Sequence, residues 1–394
     1  MHTVLTAGSL WTGSSLIPYP VVEIEGDRVV AITEGFGARV EVPGAEAHEF
    51  EGAMLAPAFF DVHIHGAAGH DVMEATPEAL GAIGRFLATR GTGSYLATTV
   101  TAPLDMTLRA LDGLAKLIDH PDLFADGDAA LPIGIHLEGP FLSHAKCGVQ
   151  PKEYLLEPDI ATFARLYDAA GGHARLMTLA PELPGAPELA AHATAKGVRV
   201  SVGHSNATAA ETRAAIAAGA VSATHTFNAM RPLDHREPGI LGTVLATDSL
   251  YAELVCDGIH SAPEMAKIWW RAKGPERGIL ITDAMSAAGM PDGEYQLGNF
   301  NVQVANGRAM ARGVLAGSVL TLDRALENFV KFTGVTVEEA LRLLTVNPAA
   351  MTGFCAEAGT IAVGRKANLV AVDATGKLVA SIHNGELVGA LAAR

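Results

Sequence analysis

From Met54 to Thr282 the chain alternates short apolar runs with longer amphipathic ones, and this alternation restricts the fold more than any other feature. Runs rich in β-branched and apolar residues at Met54–Val62, Ser94–Val100, Ile133–Glu138, Arg175–Ala180, Val198–Gly203, Val221–His225, Tyr251–Cys256 and Gly278–Thr282 read as strands. Helical segments follow near Pro77–Arg90, Leu104–Ile118, Pro158–Ala169, Ala186–Ala195, Ala209–Ala218, Ile240–Ala246 and Pro263–Lys273. The strands are apolar throughout, as expected of a parallel sheet buried on both faces. Helical crossovers impose parallel pairing, and eight strands are the number that closes a (β/α)8 barrel. The predicted fold class is α/β, with a TIM-type barrel over residues 53–352.

Both flanks read as β structure. Val21–Glu25 and Arg28–Ile32 meet at Gly26-Asp27, a hairpin signal. Near the other end, Asn368–Val372 and Lys377–His383 precede Asn384-Gly385, which turns the chain into Glu386–Val388. Neither flank is large enough to stand alone, so residues 1–52 and 353–394 are expected to pair into one small β-sandwich domain. Helices Leu320–Phe332 and Val337–Leu344 lead back to it. Residues 291–313 form an insertion with a hairpin turn at Asn306-Gly307.

With 394 residues, 49% of them hydrophobic, the chain can build a barrel-sized core and a small domain besides. A net charge of −15 argues against nucleic acid or a membrane surface as partner. It leaves room for an anionic substrate, which needs only one or two local cations. Cys147, Cys256 and Cys355 are too far apart for a CxxC metal pattern and give no disulfide framework. The N-terminal residues lack the basic start and apolar run of a signal peptide. No apolar run approaches the roughly 20 residues of a membrane span. A reducing cytoplasm is the expected setting.

Catalytic groups of such barrels sit at the C-terminal strand ends. Strand one ends in Asp61-Val-His63-Ile-His65-Gly66, and a two-residue spacing in an extended chain aims both histidines to one side. Strand three ends in Glu138, strand five in His204, strand six in His225, strand seven in Asp257-Gly-Ile-His260 and strand eight in Asp283. Singly, each has a structural reading: His65 as turn chemistry before Gly66, Asp283 as a helix cap. Jointly, His63, His65, His204 and His225 with Glu138 and Asp283 at one barrel mouth describe a first-row metal site, because imidazole with carboxylate suits Zn or Fe. His136, two residues before Glu138, is expected to point into the barrel. His2, His48, His120, His173, His192 and His383 read as structural or exposed.

These residues resemble the amidohydrolase superfamily and, within it, the N-acetylglucosamine-6-phosphate deacetylase family. The resemblance is carried by Pro57-Ala-Phe-Phe-Asp-Val-His-Ile-His-Gly66, His136-Leu-Glu-Gly-Pro-Phe141, Gly203-His-Ser-Asn-Ala-Thr208 and Thr224-His-Thr-Phe-Asn-Ala-Met230. Asp257-Gly-Ile-His260, Thr282-Asp-Ala284, Leu315-Ala-Gly-Ser318 and Gly359–Val370 complete it. It implies one or two divalent metals per chain, with zinc first and iron, manganese or cobalt as alternatives. Glu138, His204 and His225 would hold one ion, and His63 with His65 a second. Asp283 would act as general base and then general acid. Arg236 and His260 would bind the phosphate of a small sugar phosphate, in contacts that can cross a homodimer interface. Asn228 and Ala229 would hold the sugar, and Leu315, Ala316 and Gly317 the acetyl end. Gln150 or His144 would reach the substrate from the loop after Glu138. The implied reaction removes acetate from N-acetyl-D-glucosamine 6-phosphate.

Two alternatives fit the sequence less well. Dihydroorotases and hydantoinases need a modified Lys at the end of strand four, where Arg175-Leu-Met-Thr-Leu-Ala-Pro has none. A non-catalytic metal-binding scaffold would not need Asp283.

Overall fold

The computed structural model describes residues 2–35 and 44–389. Barrel strands one to six are Phe59–Ile64, Thr92–Thr99, Leu131–Glu138, Ala174–Leu179, Arg199–Val202 and Ala220–Ala223, paired in chain order as one parallel sheet. Strands seven and eight, Ala252–Val255 and Gly278–Ile281, form a separate parallel pair. Backbone bonds at two seams close the ring. Between strands six and seven, the Ala223 N–H donates to the Tyr251 carbonyl (3.0 Å) and the Tyr251 N–H to the Val221 carbonyl (2.9 Å). Between strands eight and one, the Asp283 N–H donates to the His63 carbonyl (2.9 Å) and the His65 N–H to the Ala284 carbonyl (2.8 Å). The architecture is therefore a closed TIM barrel, as the alternation predicts.

Helix starts are encoded locally. Thr76 caps Pro77–Thr89 by accepting from the Ala79 N–H, and Pro77 supplies a first position that needs no amide partner. Thr208 and Glu211 form a reciprocal capping box on Ala209–Ala217. The helix Pro263–Arg277 bends at Gly274, whose φ is 59°, just before Pro275. A short helix, Val346–Thr352, lies where none is expected.

The first expected strand divides at Ala58. Residues up to Pro57 belong to the strand Glu46–Pro57, which pairs parallel with His2–Trp11 and antiparallel with Leu369–Val372. The barrel strand begins only at Phe59. The two flanks do meet, but in one eight-stranded sheet rather than two facing sheets. That sheet curls, so that the Val29 N–H on its far edge donates to the Arg365 carbonyl (3.0 Å) and the Ala367 N–H to the Asp27 carbonyl (2.8 Å). Leu5, Val22, Ile24, Leu55, Leu369 and Ile382 pack together inside the curl. Val370 and Val372 alternate to the other face and join the barrel's core. Residues 36–43 and 390–394 of the expected terminal domain, with Met1, lie outside the described residues.

The insertion is a four-stranded antiparallel sheet, Gly293–Leu297, Phe300–Ala305, Arg308–Ala311 and Val314–Leu315. Its expected turn is present, with Asn306 at φ 52° and Gly307 at φ 73°, the left-handed pair that a two-residue hairpin requires.

Candidate active site

The strand ends converge. His63, His65 and Asp283 form one group of potential metal ligands, and Glu138, His204 and His225 another; within each, the ligand atoms lie within 4.8 Å of one another. Glu138 stands between the groups. Its Oε1 is 3.2 Å from Nε2 of His204 and of His225, and 3.4 Å from Nε2 of His63. Its Oε2 is 3.4 Å from Nε2 of His65. Asp283 Oδ1 lies 3.1 Å from His65 Nε2 and 3.6 Å from His63 Nε2.

The outer nitrogens fix the rings. His65 donates from Nδ1 to the Thr98 carbonyl (3.0 Å) and His204 from Nδ1 to the Lys146 carbonyl (3.1 Å). Each therefore turns Nε2 towards the centre, where it donates to a carboxylate when the ring is charged and offers a lone pair to a metal when the ring is neutral. His204 Nε2 and His225 Nε2 are only 3.0 Å apart, and both face a carboxylate oxygen. Imidazole nitrogens and carboxylate oxygens converging on one buried point are a donor set that fits a divalent metal.

The electrostatics agree. Burial by itself would raise the Glu138 pKa, but the His63 charge and hydrogen bonds from His204, His225 and His63 outweigh it and hold the carboxyl well below its ordinary range. Asp283 is likewise lowered, with burial opposed by the His63 charge and the His65 hydrogen bond. His63 and His65 are raised despite burial, by Glu138 and Asp283. His136 points inward as expected. It bonds Thr178 Oγ1 (2.8 Å), and burial drives its pKa down, so it stays neutral.

Three of these residues sit in backbone conformations that side chains other than glycine seldom adopt: His204 at φ 45°, His225 at φ 29° and Asp283 at φ 49°. Strain of this kind persists only where surrounding bonds overdetermine it. At Asp283 both flanking amide bonds are made: its own N–H to His63, and the Ser318 N–H to its carbonyl (2.7 Å).

A cavity of about 260 Å³ opens above the cluster, with His65, Glu138, His204, His225 and Asp283 at its floor. Gln150, Asn228, Ala229, His260, Leu315 and Gly317 line its walls, and the insertion adds Leu297 and Val314. Gln150 is buried and fixed, donating to Glu138 Oε2 (2.8 Å) and accepting from the Thr101 N–H (2.8 Å). His144 is exposed and does not line the cavity. His260 donates from Nδ1 to Asp257 Oδ2 (2.7 Å); burial lowers its pKa, but Asp257 outweighs that and leaves it raised. Two expected contacts are not at the cavity. Arg236 lies on an exposed loop, its backbone N–H bonded to Asp234 Oδ1 (2.9 Å), and Ala316 is wholly buried behind the wall.

Sequence reasoning missed Glu253, whose Oε2 lies 3.1 Å from His63 Nδ1. It named Asp61 at the end of strand one but gave it no role; Asp61 accepts from Thr282 Oγ1 (2.6 Å), and burial pushes its pKa up to about 7. A lone acid inside an apolar strand was the available signal for Glu253.

A closed barrel with two histidine–carboxylate groups at its C-terminal mouth defines a metal-dependent hydrolase site. The amidohydrolase family matches residues 54–391. An N-acetylgalactosamine-6-phosphate deacetylase of Escherichia coli O157:H7 is 40% identical over 349 residues, 88% of this chain and 91% of the relative. An N-acetylglucosamine-6-phosphate deacetylase of Lysinibacillus sphaericus is 38% identical over 335 residues, 85% of each chain. The solved structure of an N-acetyl-D-glucosamine-6-phosphate deacetylase mutant from Mycobacterium smegmatis, in complex with N-acetyl-D-glucosamine-6-phosphate, superposes with a TM-score of 0.90 at 36% identity, covering 98% of this chain and 99% of that one. The chain belongs to the amidohydrolase family, among its N-acetylhexosamine-6-phosphate deacetylases.

Proposed function

We propose that the protein hydrolyses the acetamide of N-acetyl-D-glucosamine 6-phosphate to D-glucosamine 6-phosphate and acetate, in amino-sugar catabolism or cell-wall recycling. The observation that carries this reading is Asp283, an ionised acid that faces the cavity from within one of the two converging ligand groups. Glu138, His204 and His225 would hold a divalent cation, and His63 with His65 a second, with Glu138 standing between the two groups. Zinc suits the donor set first, with iron, manganese or cobalt as alternatives. When bound, the metal lowers the pKa of water and polarises the amide carbonyl.

The chain's own residues do the rest. Asp283 accepts a proton at its carboxylate and returns it to the departing nitrogen, so one group serves as base and then as acid. Gln150 fixes the Glu138 carboxylate through its amide. Asn228 and Ala229 hold the sugar, and Leu315 and Gly317, backed by Ala316, close on the acetyl methyl. His260, kept cationic by Asp257, meets the phosphate from the cavity wall. Arg236 is exposed in the single chain, which suits a phosphate contact delivered across a homodimer interface. The setting is cytoplasmic; among the described residues no helix is long and apolar enough to cross a membrane. The barrel, expected over 53–352 and beginning at Phe59, serves as the catalytic domain, and the paired flanks, expected as 1–52 with 353–394 and reaching to Pro57, as a second.

The test is acetate release from N-acetylglucosamine 6-phosphate, with the galactosamine epimer, unphosphorylated N-acetylglucosamine, a hydantoin and dihydroorotate in parallel, before and after chelation. Chelator-sensitive turnover of the 6-phosphate is expected. Turnover of a cyclic amide with no acetate from either sugar phosphate would transfer the site to another amidohydrolase reaction.

A further inference from the structure

Barrel strand seven, Ala252–Val255, is apolar except for Glu253, whose side chain is completely buried. An ionised carboxylate is costly there unless it is paired. Its Oε2 accepts twice, from His63 Nδ1 (3.1 Å) and from the backbone N–H of His225 (3.2 Å). Its Oε1 has no hydrogen-bond partner among the described residues. Both hydrogen bonds of the carboxylate are therefore made by Oε2.

What Oε2 holds is one member of each ligand group. On the His63 side, Nδ1 donates to Glu253, and Nε2 is thereby aimed at Glu138 Oε1 (3.4 Å) and Asp283 Oδ1 (3.6 Å). The His136 ring meets His63 edge to face, with centroids 4.7 Å apart at 83°, and His136 is tied down by Thr178. Rotating His63 would break the bond to Glu253 or drive the ring into His136. On the His225 side, the same oxygen catches the N–H of a residue strained at φ 29°. A carboxylate behind a ligating histidine fixes its tautomer and strengthens it as a donor.

We propose that Glu253 is the positioning residue that makes His63 a metal ligand, and so decides whether the chain holds a second divalent cation beside the one at Glu138, His204 and His225. This rests on the two-group reading given under Proposed function. Glu253 does not line the cavity; it acts through His63 and the His225 backbone.

The experiment loads the apo full-length protein with Zn²⁺ at a buffered free concentration, counts ions per chain, and records the visible spectrum after Co²⁺ loading. Wild type should bind two ions and His63→Asn one. Glu253→Leu should behave as His63→Asn does, with affinity for the second ion down about 10–100-fold and the matching part of the Co²⁺ spectrum gone. Glu253→Gln should keep both ions, because an amide oxygen can still accept from His63 and His225. Two ions and an unaltered Co²⁺ spectrum in Glu253→Leu would overturn the proposal. If wild type and His63→Asn bind equally, the two-group reading fails and the role of Glu253 falls with it. Should Glu253→Leu not fold, Glu253→Asp replaces it: one methylene short, it should drop the second ion while Glu253→Gln keeps it. Equal binding by those two variants would overturn the proposal.

Discussion

Asp283 and Glu138 are both buried carboxylates in contact with histidines, yet they answer to different measurements. Asp283 faces the cavity and is the group assigned to move the proton. Asp283→Asn should lower kcat by about 10²–10⁴-fold, the range for lost general acid–base catalysis, while the Glu138 group still loads one zinc. Activity within a few-fold of wild type would remove Asp283 from that role. Glu138 touches four imidazoles with its two oxygens. Glu138→Gln keeps the shape and loses the charge, so elemental analysis should find less zinc in the protein as well as lower activity. Full zinc occupancy in that variant would show that Glu138 is not a ligand.

At the scale of elements, the turn after the two strand-one histidines has no spare room. A Cβ on Gly66 would lie 2.2 Å from the His70 carbonyl oxygen. Gly66 begins a small hairpin in which Asp71 accepts from the Gly298 N–H (2.7 Å), linking the turn to the insertion. Gly66→Ala should therefore destabilise the protein by about 1–3 kcal/mol and weaken metal binding at His63 and His65; an unchanged denaturant midpoint would contradict the tight fit. The terminal sheet carries its own pH dependence. His383 is buried, and burial lowers its pKa from 6.5 to about 4. Above pH 6.5 the ring is neutral folded or unfolded and contributes nothing. Between pH 6.5 and 4 only the unfolded chain gains the proton, so stability falls as the pH drops, by about 3 kcal/mol at pH 4. Urea midpoints of wild type and His383→Leu should converge in their pH dependence above 6.5 and diverge below it.

The elements themselves were largely legible in the sequence. Apolar runs alternating with capped helices prescribe the barrel, and the acids and imidazoles at strand ends prescribe its mouth. Ala58 was not legible as a boundary, because the residues on both sides are apolar; only Pro57, which lacks an amide hydrogen, hints at the break. Glu253 escaped notice for a related reason. Inside a strand, a charge is read against its neighbours in sequence, and its partner His63 is 190 residues away. Arg236 marks a limit of a different kind, since a motif places a residue on a loop but does not say whether that loop lines the cavity, and Arg236 is exposed and does not line it.

For the whole molecule, the acidity of the chain, −15 overall, means that capture of a phosphate depends on specific cations rather than on the general field. Arg236→Ala should lower kcat/KM on N-acetylglucosamine 6-phosphate by roughly 10–150-fold, the equivalent of one charge-assisted hydrogen bond. The unphosphorylated sugar should lose little. Equal losses on both substrates would give Arg236 a structural role. Mixing Arg236→Ala chains with His260→Ala chains should restore activity if the two contacts come from different subunits, and should not if they come from one.

The pairing of Glu46–Pro57 with Leu369–Val372 also sets a schedule for synthesis. A chain growing at about 5–20 residues per second takes roughly 15–60 s to pass from one strand to the other. Throughout that interval the Glu46–Pro57 strand has an open edge, the kind of template on which nascent chains join one another. Ribosome-bound intermediates of this enzyme should therefore need shielding until the later strand emerges. A chain stopped after Thr352 should sediment as aggregate, even though all eight barrel strands have already been made.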